Sequence, residues 1–255
     1  MTEIADGSQP DAAGLAGDAL LRRVRTGNAF EDTVSRLLQT IRLGVVSPGE
    51  ALPSERDLAL RFGVSRDTVR DAIKALADAG FLVSRRGRYG GTFVSERVPL
   101  VGLSGVLDDT APQSDTVAPE DLDDVLGLRD ILEVGAARAA ADRPLTKAQR
   151  ELLWSSLRET AEAAADDYRR LDSRLHLAIG ELVGVPSLMP LLADNRMRIN
   201  EFLDHIPLLE RNIAHSNEQH EQIVLAILTG DSERAAVTMR EHLEGSEALL
   251  RGFLA

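Results

Sequence analysis

Cysteine is absent from the 255 residues. Disulfides and thiolate metal sites are therefore excluded, and a reducing compartment is compatible with the chain. Aromatic residues make up only 4% against 44% hydrophobic residues, a balance that favours Leu/Ala/Val packing between helices over a β-sandwich. No apolar stretch approaches the length of about 18 residues that a membrane span needs. No basic segment followed by an apolar run stands near Met1, so secretion is not expected and a cytoplasmic location is. No repeat of about 34 or 40 residues is visible, which argues against a solenoid. Basic charge is also scarce: the net charge is −12, at first sight unfavourable for a nucleic-acid partner.

The distribution of charge reverses that impression. Between Ser54 and Val94 stand eight basic and five acidic residues, a surplus of three, so the remainder of the chain holds −15. An acidic body with one cationic face orients a polyanion rather than binding it indiscriminately. Within that stretch Ser54 is placed as the N-cap of a short helix, with Glu55 and Asp57 in its first turn, Leu58 and Leu60 along it, and a stop near Gly63. Ser65 then caps a second helix that ends before Gly80. Val69, Ala72, Ile73 and Leu76 share one face of it, while Arg66, Arg70 and Lys74 form a cationic stripe along the edge of that face. Phe81–Val83 and Thr92–Val94 flank a turn carrying Arg85, Arg86 and Arg88 among glycines, which reads as a hairpin with a basic tip. A helix able to enter a major groove, next to a wing able to reach phosphates, is a winged helix-turn-helix.

These residues carry a resemblance. Leu52-Pro53-Ser54-Glu55-Arg56, the run from Gly63 through Val64-Ser65-Arg66-Asp67-Thr68-Val69-Arg70-Asp71 to Ala72, Leu76 and Gly80 are similar to the DNA-binding domain of GntR-family bacterial transcription regulators. The resemblance implies operator contacts from Arg56, Arg66 and Arg70, with Ser65 and Thr68 on or near the DNA backbone. It also implies that Arg86 and Gly87 lie at the wing tip in the minor groove. Asp67 stands where the family often has a different small residue.

Four segments organise the chain. Residues 1–27, rich in Ala, Gly and Asp, read as a mobile tail. Residues 28–97 form the DNA-binding domain, opened by an amphipathic helix over Phe30–Leu43. Residues 98–118 lose periodicity and read as a linker. Residues 119–255 show only helical period, with expected helices Pro119–Ala141, Lys147–Ala165, Asp167–Val183, Ser187–His205, Leu208–Leu228 and Ser232–Phe253. The expected fold is mainly α: a winged helix-turn-helix followed by an all-α antiparallel bundle.

Polar residues interrupt the apolar period of that bundle. Asp172 and His176, four apart, point the same way from one helix. His220 and His242 flank the turn at Thr229–Asp231 at similar heights, roughly 12–15 Å from it, so they can face each other. Asp-x-x-x-His by itself fits a surface pair or a satisfied core histidine as well as a metal site. Together the four give an oxygen-plus-nitrogen donor set suited to zinc first, with nickel, cobalt or manganese as alternatives. Arg129 and Glu133 fall in the middle of the apolar face defined by Leu122, Val125, Leu126, Leu132, Ala136 and Ala140. They suit a buried ion pair, or Arg129 clamping an effector carboxylate with Glu133 orienting it.

The C-terminal pieces Leu128–Glu133, Asp172-x-x-x-His176, Glu218–Ile223 and Met239–Leu243 resemble the all-helical FCD ligand domain of FadR-type GntR regulators. That resemblance implies that Asp172, His176, His220 and His242 are the metal ligands, and that the chain is a homodimer, more often a repressor released by its effector. His215, five residues before His220, is an alternative ligand, and His205 reads as structural or exposed. The expected function is a regulator that binds a pseudo-palindromic double-stranded operator under control of a small organic acid, and not an enzyme. A metal-responsive regulator and a metallohydrolase with a DNA-targeting domain are the competing readings. Against the hydrolase, the chain has no HExxH and no G-x-S-x-G motif.

Overall fold

In a computed structural model of the chain, the described residues are 29–85, 87, 90–99 and 119–254. The expected tail and most of the expected linker lie outside them, as do the wing residues Arg86, Arg88 and Tyr89.

Helix α1 (Ala29–Arg42) buries Val34, Leu37, Leu38 and Ile41, spaced by three, one and three, against the two helices that follow. Helix α2 (Glu55–Phe62) starts where Ser54 Oγ accepts from the Asp57 amide at 3.2 Å. It ends at Gly63, whose φ of 71° is strained for any residue with a Cβ. That exit turns the chain into α3 (Arg66–Asp78), which buries Val69, Ala72, Ile73 and Leu76 as the period requires. Strand β1 (Leu82–Arg85) pairs antiparallel with β2 (Gly91–Val94), Leu82 opposite Val94 and Arg85 opposite Gly91. A lone two-stranded hairpin is marginal in water. Here Leu52 donates to the Thr92 carbonyl at 2.8 Å and Val94 to that of Glu50 at 2.9 Å, so the outer edge of β2 is covered. Phe81, expected in the first strand, instead closes α3: its amide bonds the Leu76 carbonyl at 2.8 Å while its ring enters the core.

The C-terminal body consists of α4 (Pro119–Ala141), α5 (Lys147–Ala161), α6 (Ala165–Leu182), α7 (Leu188–Leu203), α8 (Glu210–Thr229) and α9 (Ser232–Leu254). Several boundaries differ from expectation, by four residues at the end of α5 and by one or two elsewhere. Helix α5 stops at Ala161 rather than Ala165, because the chain breaks at 162–164 and α6 already begins at Ala165. Helix α8 starts at Glu210 rather than Leu208, since the chain leaving Pro207 is still extended at Leu209. The core is aliphatic, built from residues such as Leu153, Leu175, Ile179, Ile223, Ile227 and Met239. No described helix is long and apolar enough to cross a membrane.

The two parts of the chain are seated on each other through α6 and α7. Leu43, fully buried just after α1, packs among Leu177, Met189, Leu192 and Met197. Gln39 donates to Asp194 at 2.8 Å and Arg42 pairs with Asp204 at 3.3 Å. Arg174 of α6 reaches Ser47 at 3.3 Å.

Candidate metal centre and nucleic-acid interface

The surface expected to meet DNA is assembled by caps. Ser65 Oγ accepts from the Thr68 amide at 3.0 Å and lies 2.8 Å from the Thr68 hydroxyl. Both hydroxyls therefore first serve the start of α3. Arg66, Arg70 and Lys74 are all exposed along one edge of α3. Arg70 is held in place by Asp67 at 3.0 Å and Glu55 at 3.2 Å, so its fork is positioned by two carboxylates from two helices. Arg56 projects from α2 with 81% of its side chain exposed, within 3.7 Å of Asp57. In the wing, the Arg85 guanidinium sits 4.5 Å above the Phe93 ring, a cation–π contact that stiffens the strand end. Gly87 has φ of 111° with open space around it, and Arg86 lies outside the described residues.

Three helices supply the donors of the second site. Asp172 and His176 come from α6, His220 from α8 and His242 from α9; one donor atom from each lies within 4.8 Å of all the others. The αL turn at Gly230 folds α8 back on α9 and sets the two histidines level, Nε2 to Nε2 at 3.2 Å. Asp172 Oδ1 is 3.3 Å from His220 Nε2 and 3.7 Å from His176 Nε2. The three rings are buried to within 4% of full occlusion. His215 is exposed, 3.9 Å from Glu218, and takes no part; His205 is exposed and bonds the Glu201 carbonyl at 2.7 Å.

A second set of buried charges surrounds these groups. Glu133 Oε2 approaches His176 Nδ1 to 2.5 Å, leaving Nε2 for the cluster. Gln219 Oε1 stands 3.3 Å from His242 Nδ1 and leaves that Nε2 free in the same sense. Such outer partners fix the tautomer and the ring direction of a ligating imidazole. Arg129 donates to Glu133 at 3.3 Å and to Ser246 at 2.7 Å, so the expected ion pair is present. Arg129 also lines a groove of about 460 Å³ between α4 and α9, together with Leu126, Leu243 and Glu244.

The sequence reading missed Arg196. It is fully buried on α7, bonds Asp172 Oδ2 and lies 3.5 Å from Glu133 Oε1. The signal was available: Met189, Leu192, Ala193, Arg196, Met197 and Asn200 form the buried face of α7, with an arginine in its middle. Ser173 and Asn200 complete the polar floor, with Asn200 donating to Ser173 at 2.9 Å.

The charges sort accordingly. Burial alone would raise Asp172, but Arg196 and His176 hold its carboxyl well below the usual range. Burial would likewise raise Glu133, and His176, Arg129 and Arg196 hold it well below. Burial pushes His176 down against the pull of Glu133, and pushes His242 far down with help from His220 and His176. Two carboxylates and two guanidinium groups thus share the interior of the bundle, and their formal charges cancel.

The donor set fits a divalent ion. Metal–nitrogen bonds of about 2.0–2.1 Å place neighbouring donors roughly 2.8–3.0 Å apart in an octahedral shell and roughly 3.3–3.4 Å apart in a tetrahedral one, and the His–His and His–Asp separations of 3.2 and 3.3 Å lie near the tetrahedral spacing. His176 Nε2 is buried without a hydrogen-bond partner among the described residues, which is costly unless something is bound.

Comparison with known proteins places both regions. The sequence model described as bacterial regulatory proteins, gntR family, matches residues 30–94, and that of the FCD domain matches residues 124–245. The chain is 30% identical over 245 residues to the HTH-type transcriptional repressor NanR of Cronobacter sakazakii, covering 93% of this chain and 92% of the relative. It is 28% identical over 220 residues to the HTH-type transcriptional regulator LutR of Bacillus subtilis, covering 84% and 97%. Among solved structures, E. coli McbR/YncC shares the fold with a TM-score of 0.51 at 18% identity, over 88% of this chain and 97% of that one.

Proposed function

Because this chain belongs to the GntR family of bacterial regulatory proteins and carries an FCD domain, we propose that it is a metabolite-released repressor of the cytoplasm that binds a pseudo-palindromic operator as a homodimer. Its effector is a small organic acid seated beside a divalent metal, zinc first, held by Asp172, His176, His220 and His242. When bound, the ion supplies a Lewis-acidic point that a carboxylate oxygen can reach. Residues 28–97 act as the DNA-binding domain and 119–255 as the effector domain.

One observation carries this reading: the buried charges around the four donors cancel. A divalent ion added to that interior leaves two uncompensated positive charges in a region of low dielectric, and an anion is the ligand that offsets them. Arg129 is the group best able to meet it. Its planar fork matches a carboxylate bidentately, and Glu133 and Ser246 fix its direction. Arg196, wedged between Asp172 and Glu133, turns Asp172 so that Oδ1 faces the imidazoles.

At the other end, Arg56, Arg66 and Arg70 read the operator, Ser65 and Thr68 lie along its backbone, and Arg86 and Gly87 reach the minor groove. A single helix-turn-helix buries little surface, which is why two copies are needed. The test is a thermal-shift series with zinc-loaded protein and small organic acids, followed by release from an operator obtained by oligonucleotide selection. A carboxylate should raise the melting temperature and release DNA only from zinc-loaded protein. Arg129→Ala should abolish the ligand-dependent rise while the same variant still binds DNA. An undiminished rise in that variant refutes the assignment of Arg129, and release by zinc alone would make the metal the signal.

A further inference from the structure

The four donors sit at the boundary between a dry and a polar layer of the bundle. One turn past them towards Gly230, each helix presents hydrocarbon: Ala136 on α4, Ile179 on α6, Ile223 on α8 and Met239 on α9 all belong to the aliphatic core. One turn the other way, the same helices carry Arg129, Tyr168, Ser216, Asn217 and Ser246. Ser216 stands four residues before His220 and Ser246 four after His242, on helices made antiparallel by the turn at Gly230, so the two are level. Arg129 bonds Ser246 at 2.7 Å and Tyr168 bonds Asn217 at 3.3 Å, which brings α4 and α6 to the same level. Beyond it Val125 and Leu250, both fully buried, begin a second aliphatic cluster. A polar layer between two dry ones is costly unless its groups are paired.

The pairing inside this layer is incomplete. Tyr168 is buried, yet its hydroxyl lies 3.3 Å from Asn217 Oδ1, long against the usual separation of about 2.7–2.8 Å for such a bond. Asn200, buried four residues after Arg196 on α7, gives its amide to Ser173 at 2.9 Å and leaves Oδ1 without a hydrogen-bond partner among the described residues. Burial and the nearby Asp172 carboxylate push the Tyr168 hydroxyl above its ordinary range, so it remains a proton donor.

We propose that the effector carries a hydroxyl group at the end of its chain remote from the carboxylate, and that Tyr168 and Asn217 read it. This rests on the carboxylate-and-metal reading above and adds the second anchor of the ligand. The two sides of the layer differ in charge. Between α4 and α9, Arg129 is cationic and suits the carboxylate. Between α6 and α8, the phenol of Tyr168, the amide of Asn217 and the hydroxyl of Ser216 are uncharged. Each of them both donates and accepts, the pattern that matches a hydroxyl and not a methyl group or a second carboxylate. Tyr168 lies four residues before Asp172, one turn or about 6 Å along α6. A short aliphatic chain between carboxylate and hydroxyl spans that distance, whereas a hydroxyl on the carbon next to the carboxylate does not.

Three acids of equal length test this. Pentanoate, 5-hydroxypentanoate and glutarate differ only at the fifth carbon, which is a methyl, a hydroxymethyl or a carboxylate. Calorimetric titration of the full-length, zinc-loaded protein should find 5-hydroxypentanoate bound about three- to tenfold more tightly than pentanoate, the net worth of one hydrogen bond. Glutarate should not exceed it. Tyr168→Phe should abolish the preference for the hydroxylated acid, and Asn217→Ala should lower it, while unchanged pentanoate binding shows that the site is still folded. A tyrosine that only braces α6 on α8 would instead weaken both acids alike and leave their ratio intact. Equal binding of the two in the parent, a preference for glutarate, or a preference that survives Tyr168→Phe would overturn the proposal and leave the carboxylate site standing. Binding of none of the three by protein that still takes up zinc would overturn the carboxylate site itself.

Discussion

Replacing Arg196 by Met tests whether the buried charge network is built as described. The guanidinium is fully occluded and bonds Asp172, with Glu133 at 3.5 Å. Removing one partner of a buried ion pair leaves the other charge in low dielectric and costs about 3–5 kcal/mol. Glu133 keeps Arg129 at 3.3 Å, so the main orphan is Asp172, and the lower end of that range applies. For a helical body of this size, each kcal/mol moves the melting temperature by about 3–4 °C; the expected fall is on the order of 10 °C. The assay is thermal unfolding followed by circular dichroism in chelator-treated buffer. Adding Asp172→Asn to Arg196→Met removes the stranded charge and should recover most of the loss, since an ion pair replaced on both sides is often nearly neutral. An Arg196→Met protein that melts with the parent, or a double variant no better than the single, would refute the reasoning.

Three further outcomes follow from the geometry. Ser65→Ala removes the acceptor for the Thr68 amide and should cost the N-terminal domain about 1 kcal/mol in denaturant unfolding. Arg70→Ala should weaken operator binding by about 1–3 kcal/mol if the side chain pairs with a base edge, and relax preference at that base; an unchanged selection profile would confine Arg70 to its bonds with Asp67 and Glu55. Leu43→Ala should cost about 2–5 kcal/mol of stability, and, in protein that still folds, should weaken effector-driven release more than operator affinity in a gel-shift titration.

Most of the fold was written locally. Ser54, Ser65, Gly63 and Gly80 punctuate the reader domain where the caps and αL turns actually fall. The six C-terminal helices were separable because Pro, Gly and Asp mark their ends. Boundaries slipped where the deciding contact is not in the local pattern. Phe81 looks like a strand residue by type, yet its amide caps α3. The cluster of four donor residues was legible because its spacing is helical and its turn is marked by Gly230. Arg196 was not singled out, although it breaks the apolar period of α7 as plainly as Arg129 breaks that of α4. A lone arginine on a helix has no visible partner in the sequence, whereas Arg129 has Glu133 four residues away. What Arg196 meets, Asp172 and Glu133, comes from α6 and α4, and only the packed bundle brings them together.

Under the proposed function, the same packing would supply a physical route from effector to operator. Helix α6 carries Asp172 and His176 on the site and Leu177, one residue further, against Leu43. Helix α7 carries Arg196 on the site and Asp194, two residues before, bonded to Gln39 of α1. Gly180 ties the two helices closely: a Cβ there would overlap Leu192 Cδ1. An effector that draws Asp172 or Arg196 by part of an ångström therefore cannot do so without loading the seat of the DNA-binding domain, because close-packed helices shift as bodies rather than absorb the change. Coupling of 1–3 kcal/mol is typical between such sites. Losing the Leu43 contact should lower that coupling towards zero while leaving the cluster of donors intact, so metal affinity and effector release would separate in that one variant.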